Sequence, residues 1–471
     1  MLPMQKKLSN TFLAILALPA TALGFALSVQ ISALSWILTT QYHLDVHDIG
    51  LVWAAGPIAG IFGQVLIGVW SDRVWLWNGR RRPFILVGGT IAALTLLALP
   101  NIDVISRAMG FESLLGIALI VVLSLDFAIN VGFNPTRSII ADVTPEGVER
   151  TRGFTWMQTV SGSFGVGAYA IGAIWDNYVL IYVAVVLVLL FSLIPPFLIE
   201  EPKPEQFRDE SDDAPKTSLR GMLMAIQPLW GFLVYDIYAM SLRLAGIEHE
   251  HYYAEIICGI ATIFLVARSL SARESGGHTA HDHLIGFRQV IAAHSFSWIG
   301  IQTTFVFLVI YLQDILAYLD DIAIGRLGST SFLVLNAVGA LLPVLVLEPL
   351  TERIGRVRTH AISLGIMTMG YVALYFMGDS PMTIFVLMAI VGIGWAAIVS
   401  LPFAIFSQKI GKDEMGLYMG LFNLSVVLPQ LVVSLGISLL VSRADDLRII
   451  FVVSAIALAI SALSWMRVSE D

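Results

Sequence analysis

The chain has 471 residues, 57% of them hydrophobic and only 13% charged, with a mean hydropathy of +0.81, and no water-soluble core absorbs that much apolar surface. Its net charge of -8 is spread through loops and offers nucleic acid no basic patch, while a single cysteine, Cys258, excludes an intrachain disulfide. Apolar runs of about 20 residues recur. In hydrocarbon only closed hydrogen-bonding structures span, so these runs predict transmembrane helices, and the weak alternation of a barrel is not seen.

The first run, 11–38, follows Lys6 and Lys7 and is too long for a signal-peptide core, so it is read as a retained helix. Further spans are predicted at 48–70, 83–99, 114–140, 154–175 and 178–199, completing a first group of six. A polar, acidic stretch at 200–220 containing Pro202, Pro204 and Pro215 then breaks the pattern and reads as a linker. Two weaker apolar segments, 222–242 and 253–270, predict either an inserted transmembrane hairpin, which is the reading favoured, or amphipathic helices lying on the membrane. After a polar loop whose His278, His281 and His283 lack the spacing of a structural metal site, a second group of six follows at 294–317, 330–350, 360–377, 382–408, 416–441 and 447–466. The expected organisation is therefore an N-terminal six-helix bundle over 1–199, a central linker with hairpin over 200–292, and a C-terminal six-helix bundle over 293–471.

The halves echo each other. Asp72, Arg73 and Arg80 to Arg82 follow the second span of the first half, and Glu352, Arg353, Arg356 and Arg358 follow the second span of the other. Pro135 precedes Gly153 by eighteen residues, as Pro402 precedes Gly420. Such internal repetition is the sequence mark of transporter folds. Most Lys and Arg residues fall on one side of this topology, and only Arg107, Arg243, Arg326, Arg443 and Arg448 on the other, which predicts cytoplasmic termini.

Gly68-Val-Trp-Ser-Asp72-Arg73, followed by Gly79-Arg-Arg-Arg-Pro83, resembles the loop between helices two and three of the major facilitator superfamily. Two readings stand: a charged latch between the halves, built from Asp72, Arg73, Arg80, Arg81, Arg82, Asp142, Arg150, Glu352 and Arg353, or plain topological anchoring by positive charge. Arg81-Arg-Pro-Phe84 after Ser71-Asp-Arg73 narrows the resemblance to the glycoside-pentoside-hexuronide branch, and within it to sucrose transporters and their animal and bacterial relatives. Val52-Trp-Ala-Ala-Gly-Pro57, Asp126-Phe-Ala-Ile-Asn130 with Pro135-Thr-Arg137, and Leu421-Phe-Asn423 with Pro429-Gln430 are similar to that branch's second, fourth and eleventh helices. The implied fold is all-α, two six-helix bundles with an extra hairpin, twelve plus two transmembrane helices.

An ionisable group inside a span is costly and by default functional. Asp126 is such a group: desolvation favours its neutral form, so it can load and release a proton, and the resemblance gives the matching aspartate this coupling role. The alternative is a carboxyl bonded to its neighbours for packing. Carriers of the branch that use sodium place acids inside helix two, where this chain has none between Asp48, the first residue of the span, and Asp72, so the implied coupling ion is a proton and no other cofactor is expected. Asn130 lies one turn from Asp126, and Arg137 returns to nearly the same face about 16 Å further on, where it would hold substrate hydroxyls, anchor a gate or snorkel. In this superfamily helices one, four, seven and ten line the cavity; here these carry Gln30, Asn130, Trp298, Gln302, Asp314 and Trp395, and with Asn423 on helix eleven they suit a neutral sugar, though each taken singly reads more readily as a packing or interfacial residue.

The implied activity is proton-coupled uptake of an α-glucoside such as maltose or sucrose by alternating access, in a monomer of the bacterial inner membrane with the bilayer and the sugar as its partners. The charged, glycine-containing signature after helix seven of plant sucrose carriers is not reproduced at 314–326, which leaves the disaccharide open. An exporter or uncoupled facilitator of another solute and a nontransporting sensor are the rival readings. No HExxH, GxSxG or paired membrane aspartates offers an enzyme's reaction centre.

Overall fold

The computed structural model describes residues 3–61, 74–111, 113–145, 148–202, 219–247, 251–273, 280–409 and 415–470. It is all-helical apart from one isolated bridge between Leu76 and Gly79. Asp72 and Arg73 lie outside the described residues, as does most of the linker.

Among the described residues the helices of the first half are α1 (Asn10–Thr40), α2 (Val46–Trp53, continuing to 61), α3 (Arg82–Ala98), α4 (Leu114–Val143), α5 (Val148–Ile174) and α6 (Asn177–Leu198). The inserted pair is α7 (Trp230–Leu244) and α8 (Tyr253–Ser271). The second half contributes α9 (Ala280–Ile315), α10 (Asp321–Leu342), α11 (Arg356–Met377), α12 (Pro381–Lys409), α13 (Met415–Val432) and α14 (Ile449–Trp465). Ten of the described helices are long and apolar enough to cross a membrane, and α8 is one of them. The chain is thus a multi-pass membrane protein.

Local chemistry starts these helices. Ser9 accepts the Phe12 N–H at 3.2 Å ahead of α1, Asp45 accepts that of Asp48 at 2.8 Å ahead of α2, and Asp176 accepts that of Val179 at 2.8 Å ahead of α6. Each thereby satisfies an otherwise orphaned first-turn donor. Two helices contain π turns: Pro343–Leu347 follows α10, and Val433–Ile437 follows α13. Such turns are insertions that mark functional sites more often than chance.

The chain divides into two compact units, 1–209 with 318–333, and 210–317 with 334–471. In unit 1 a buried cluster gathers Phe12, Leu16, Ile85, Ile139, Met157 and Ile199 from α1, α3, α4, α5 and the end of α6. Without water to drive helices together inside a bilayer, close packing and interhelical hydrogen bonds do that work. At Gly89 a Cβ would stand 2.0 Å from the Ser192 side chain, so only glycine lets α3 and α6 touch there. Thr21 and Ser161 pair at 3.0 Å between α1 and α5. Unit 2 uses the same devices: Ser297 and Ser461 meet at 2.7 Å between α9 and α14, and Thr304 donates to the Tyr371 hydroxyl at 2.7 Å. Val186, Leu190 and Ile194, spaced four apart on α6, and Ile256, Ile260 and Phe264 on α8 are exposed, as lipid-facing residues are.

Candidate functional site

Unit 1 buries one carboxyl inside an apolar helix. Asp126, twelve residues into α4, is 4% exposed. The Gln30 carboxamide of α1, itself 4% exposed, donates to Oδ1 at 3.1 Å and to Oδ2 at 3.0 Å. Asn130 donates to the Asp126 carbonyl at 2.8 Å, which turns it along its own helix. Gly56, in the stretch after α2, leaves the space the carboxyl occupies, since a Cβ there would lie 3.3 Å from Oδ1. Among the described residues the Asp126 oxygens are bound by Gln30 alone, with no cation paired to them. A buried acid held by a neutral amide exchanges its charge with a proton at low cost, whereas one paired with arginine does not. Arg137 stands apart: it is exposed, with its guanidinium 4.7 Å from the Phe133 ring centroid.

The arginine run is tied into a second constellation of unit 1. Arg80 and Arg81 bind the two Asp142 oxygens at 2.9 and 3.1 Å, joining the start of α3 to the end of α4. Glu201, three residues past α6, accepts the backbone N–H groups of Arg80, Arg81 and Arg82 at 2.7, 2.8 and 2.8 Å. A carboxylate at a helix N-terminus satisfies orphan donors and complements the helix dipole. The reverse cap is made by Arg82, which donates to the carbonyls of Ile199 and Trp77, both at 2.8 Å. α3 and α6 therefore close each other's ends. Arg150 donates to the carbonyls of Ala141 and Thr144 at 3.2 and 3.4 Å, capping α4.

Unit 2 repeats the device. Glu470, beyond α14, accepts the N–H groups of Arg356 and Val357 at the start of α11. Glu352 and Arg353 are exposed on the short helix before it. Neither Glu201 nor Glu470 stands out in the sequence, where both read as tail or linker charge. The available signal is positional: each follows the sixth helix of its half.

The aromatic candidates of unit 2 form one chain of contacts. Trp298 of α9 donates its indole N–H to His294 Nε2 at 2.9 Å, which fixes the imidazole proton on Nδ1. Its ring lies edge-on to Trp395 of α12 at 6.1 Å, and Trp395 donates to the Asn336 side-chain Oδ1 at 3.2 Å. One turn from Trp298, Gln302 is 3% exposed and accepts from Gln430 of α13 at 3.1 Å. Asn423 is half-buried on α13. Asp314 is exposed near the end of α9, about 24 Å of helix rise beyond Trp298, and does not join this group. His294, Asn336 and Gln430 are the three members that were not among the candidate residues.

The sequence model of the Major Facilitator Superfamily matches residues 16–434 and 290–471. The chain belongs to the Major Facilitator Superfamily. It is similar to Sucrose transport protein SUC4 of Arabidopsis thaliana, 24% identical over 494 residues covering 92% of this chain and 85% of that protein. It is also similar to Proton-associated sugar transporter A of Mus musculus, 38% identical over 133 residues, which are 27% of this chain and 18% of that one. Among solved structures, the POT family transporter PepTSo superposes with a TM-score of 0.66 at 13% identity, covering 97% of both chains. The nucleoside transporter NupG does so at 0.61 and 15%, covering 97% of this chain and 98% of its own. These superpositions show the facilitator fold, and the chain is a membrane transporter of that superfamily, not an enzyme.

Proposed function

We propose that this transporter takes up an α-glucoside disaccharide, maltose or sucrose, together with a proton, by alternating access. The observation that carries the reading is the buried Asp126 carboxyl, held by Gln30 at 3.0 to 3.1 Å with no cation among the described residues to neutralise it. Proton loading removes the charge and lowers the cost of moving the site between two exposures. Similarity to sucrose and proton-associated sugar transporters supports a sugar as cargo.

In unit 2 the edge-on Trp298 and Trp395 rings offer an apolar wall to the C–H face of a pyranose, with Gln302 one turn along α9 and Asn423 on α13 as ligands for its hydroxyls. In unit 1 Gln30 and Asn130 tie sugar binding to the proton site, and Arg137 is a further hydroxyl ligand. Arg80 to Arg82, Asp142 and Arg150 serve as the cytoplasmic brace whose rearrangement accompanies opening. The protein works as a monomer in the plasma membrane of a bacterium, with both termini cytoplasmic.

Uptake of labelled maltose and sucrose into cells or proteoliposomes with an imposed proton gradient tests the reading. Accumulation of either sugar that collapses with a protonophore is the expected result. Equilibration without accumulation, unaffected by the protonophore, would remove proton coupling.

A further inference from the structure

The inserted pair is more than a spacer. Between α7, α8 and the π turn after α13, unit 2 holds a cavity of about 230 Å³ whose walls include Phe232, Tyr235, Glu255, Gly259, Ile437 and Leu440. It is almost wholly apolar except at one end. There the Tyr235 hydroxyl donates to Glu255 Oε1 at 3.3 Å, while Glu255 Oε2 is buried with no partner among the described residues. Next along α7, outside the lining of the cavity, Asp236 is 5% exposed and neither of its carboxyl oxygens has a partner among the described residues. Buried carboxyl oxygens without a donor are costly, and a partner that brings N–H groups offsets that cost.

The rim carries the opposite charge. Tyr252, which also lines the cavity, receives a hydrogen bond from Arg443 at 3.3 Å and has the guanidinium 5.4 Å from its ring centroid. Tyr252 is the residue that precedes α8 and Glu255 lies in the first turn of that helix, and both line the cavity. Val234 and Ile237 of α7 and Ile256 and Ile260 of α8 are exposed apolar side chains, so the two helices that wall the cavity also present lipid-facing surface.

We propose that this cavity binds a phospholipid with a primary ammonium headgroup, an ethanolamine lipid. Its ammonium donates to the free oxygen of Glu255, its phosphate accepts from Arg443, and one acyl chain lies along Phe232, Ile437 and Leu440. The zwitterion matches an acid near the start of α8 and a guanidinium held on Tyr252, the residue just ahead of that helix. The unmet need is for N–H donors, which an ethanolamine has and a choline headgroup lacks, and the apolar length below the head requires a lipid and not a free amine.

The test uses the delipidated full chain and native mass spectrometry, titrating dioleoylphosphatidylethanolamine against dioleoylphosphatidylcholine, which share acyl chains. The wild type is expected to bind the ethanolamine lipid about tenfold more tightly, as charge-assisted hydrogen bonds of ordinary strength require. Glu255→Gln should erase that preference and leave binding at the choline level. Gly259→Leu has room at its Cβ, with no atom within 4 Å, and should fill the cavity and weaken both lipids without disturbing the fold. Equal affinity of the wild type for the two lipids, a preference that survives Glu255→Gln, or ethanolamine-lipid binding unchanged in Gly259→Leu would each overturn the proposal.

Discussion

Replacing Glu201 by glutamine should destabilise the first unit out of proportion to a single surface charge. The carboxylate accepts three backbone N–H groups at the head of α3, at 2.7 to 2.8 Å, and is itself 6% exposed. Glutamine keeps one carbonyl acceptor and loses the charge. A hydrogen bond to a charged group contributes ~1.5–3 kcal/mol and the helix-terminus charge up to ~2 kcal/mol, the two overlapping here, so a loss of about 2–3 kcal/mol is expected. For a folding unit of this size that corresponds to a fall in Tm of roughly 4–10 °C. Alanine should cost more than glutamine, since it removes the last acceptor. Thermal unfolding of purified protein in one detergent, followed by tryptophan fluorescence, measures the shift. Glu352→Gln, exposed on its short helix, is the control and should move Tm little. Equal shifts from the two substitutions, or none from Glu201→Ala, would refute the reciprocal capping of α3 and α6.

Three other outcomes follow from the same geometry. Gln30→Ala strips both N–H contacts from Asp126 and should cost ~1–3 kcal/mol of stability, whereas in the Asp126→Asn background it should cost less because no charge is left stranded. A double-mutant cycle by thermal unfolding reads the coupling, and strict additivity would contradict the contact. His294→Leu removes the acceptor of the Trp298 indole and should raise the KM for sugar several-fold with little change in maximal rate. Combining it with Trp298→Phe, which has no N–H to donate, should add no further increase in KM; independent effects would show that His294 does not position Trp298.

Much of the architecture is legible because hydrocarbon imposes one rule, about 20 apolar residues per span, and the chain obeys it. Boundaries are less so. The run at 294–317 begins where polarity falls, yet α9 starts at Ala280, where Asp282 and Gln289 are buried and His283 meets the Lys409 carbonyl 126 residues further on. The span at 83–99 stops before Pro100, while the helix turns through Leu99–Asn101 and resumes as Ile102–Met109, since proline is accepted in the first turn of a new segment. Asp126, Gln30 and Asn130 are each visible as polar residues in apolar runs, but the meeting of Gln30 with Asp126 joins positions 96 residues apart. Glu201 was hidden differently. It sits beside Glu200 and Pro202 in an acidic segment, and only its arginine partners, about 120 residues earlier, distinguish it from linker charge.

The central claim, that sugar and proton move together through Asp126, is tested most directly by external pH in unbuffered, de-energised cells given maltose, sucrose, trehalose or lactose. The account predicts alkalinisation with maltose or sucrose in cells carrying the wild type and none in cells carrying Asp126→Asn, whose amide fills the same space and cannot carry the proton. Equal alkalinisation by both would contradict it and remove Asp126 from the coupling.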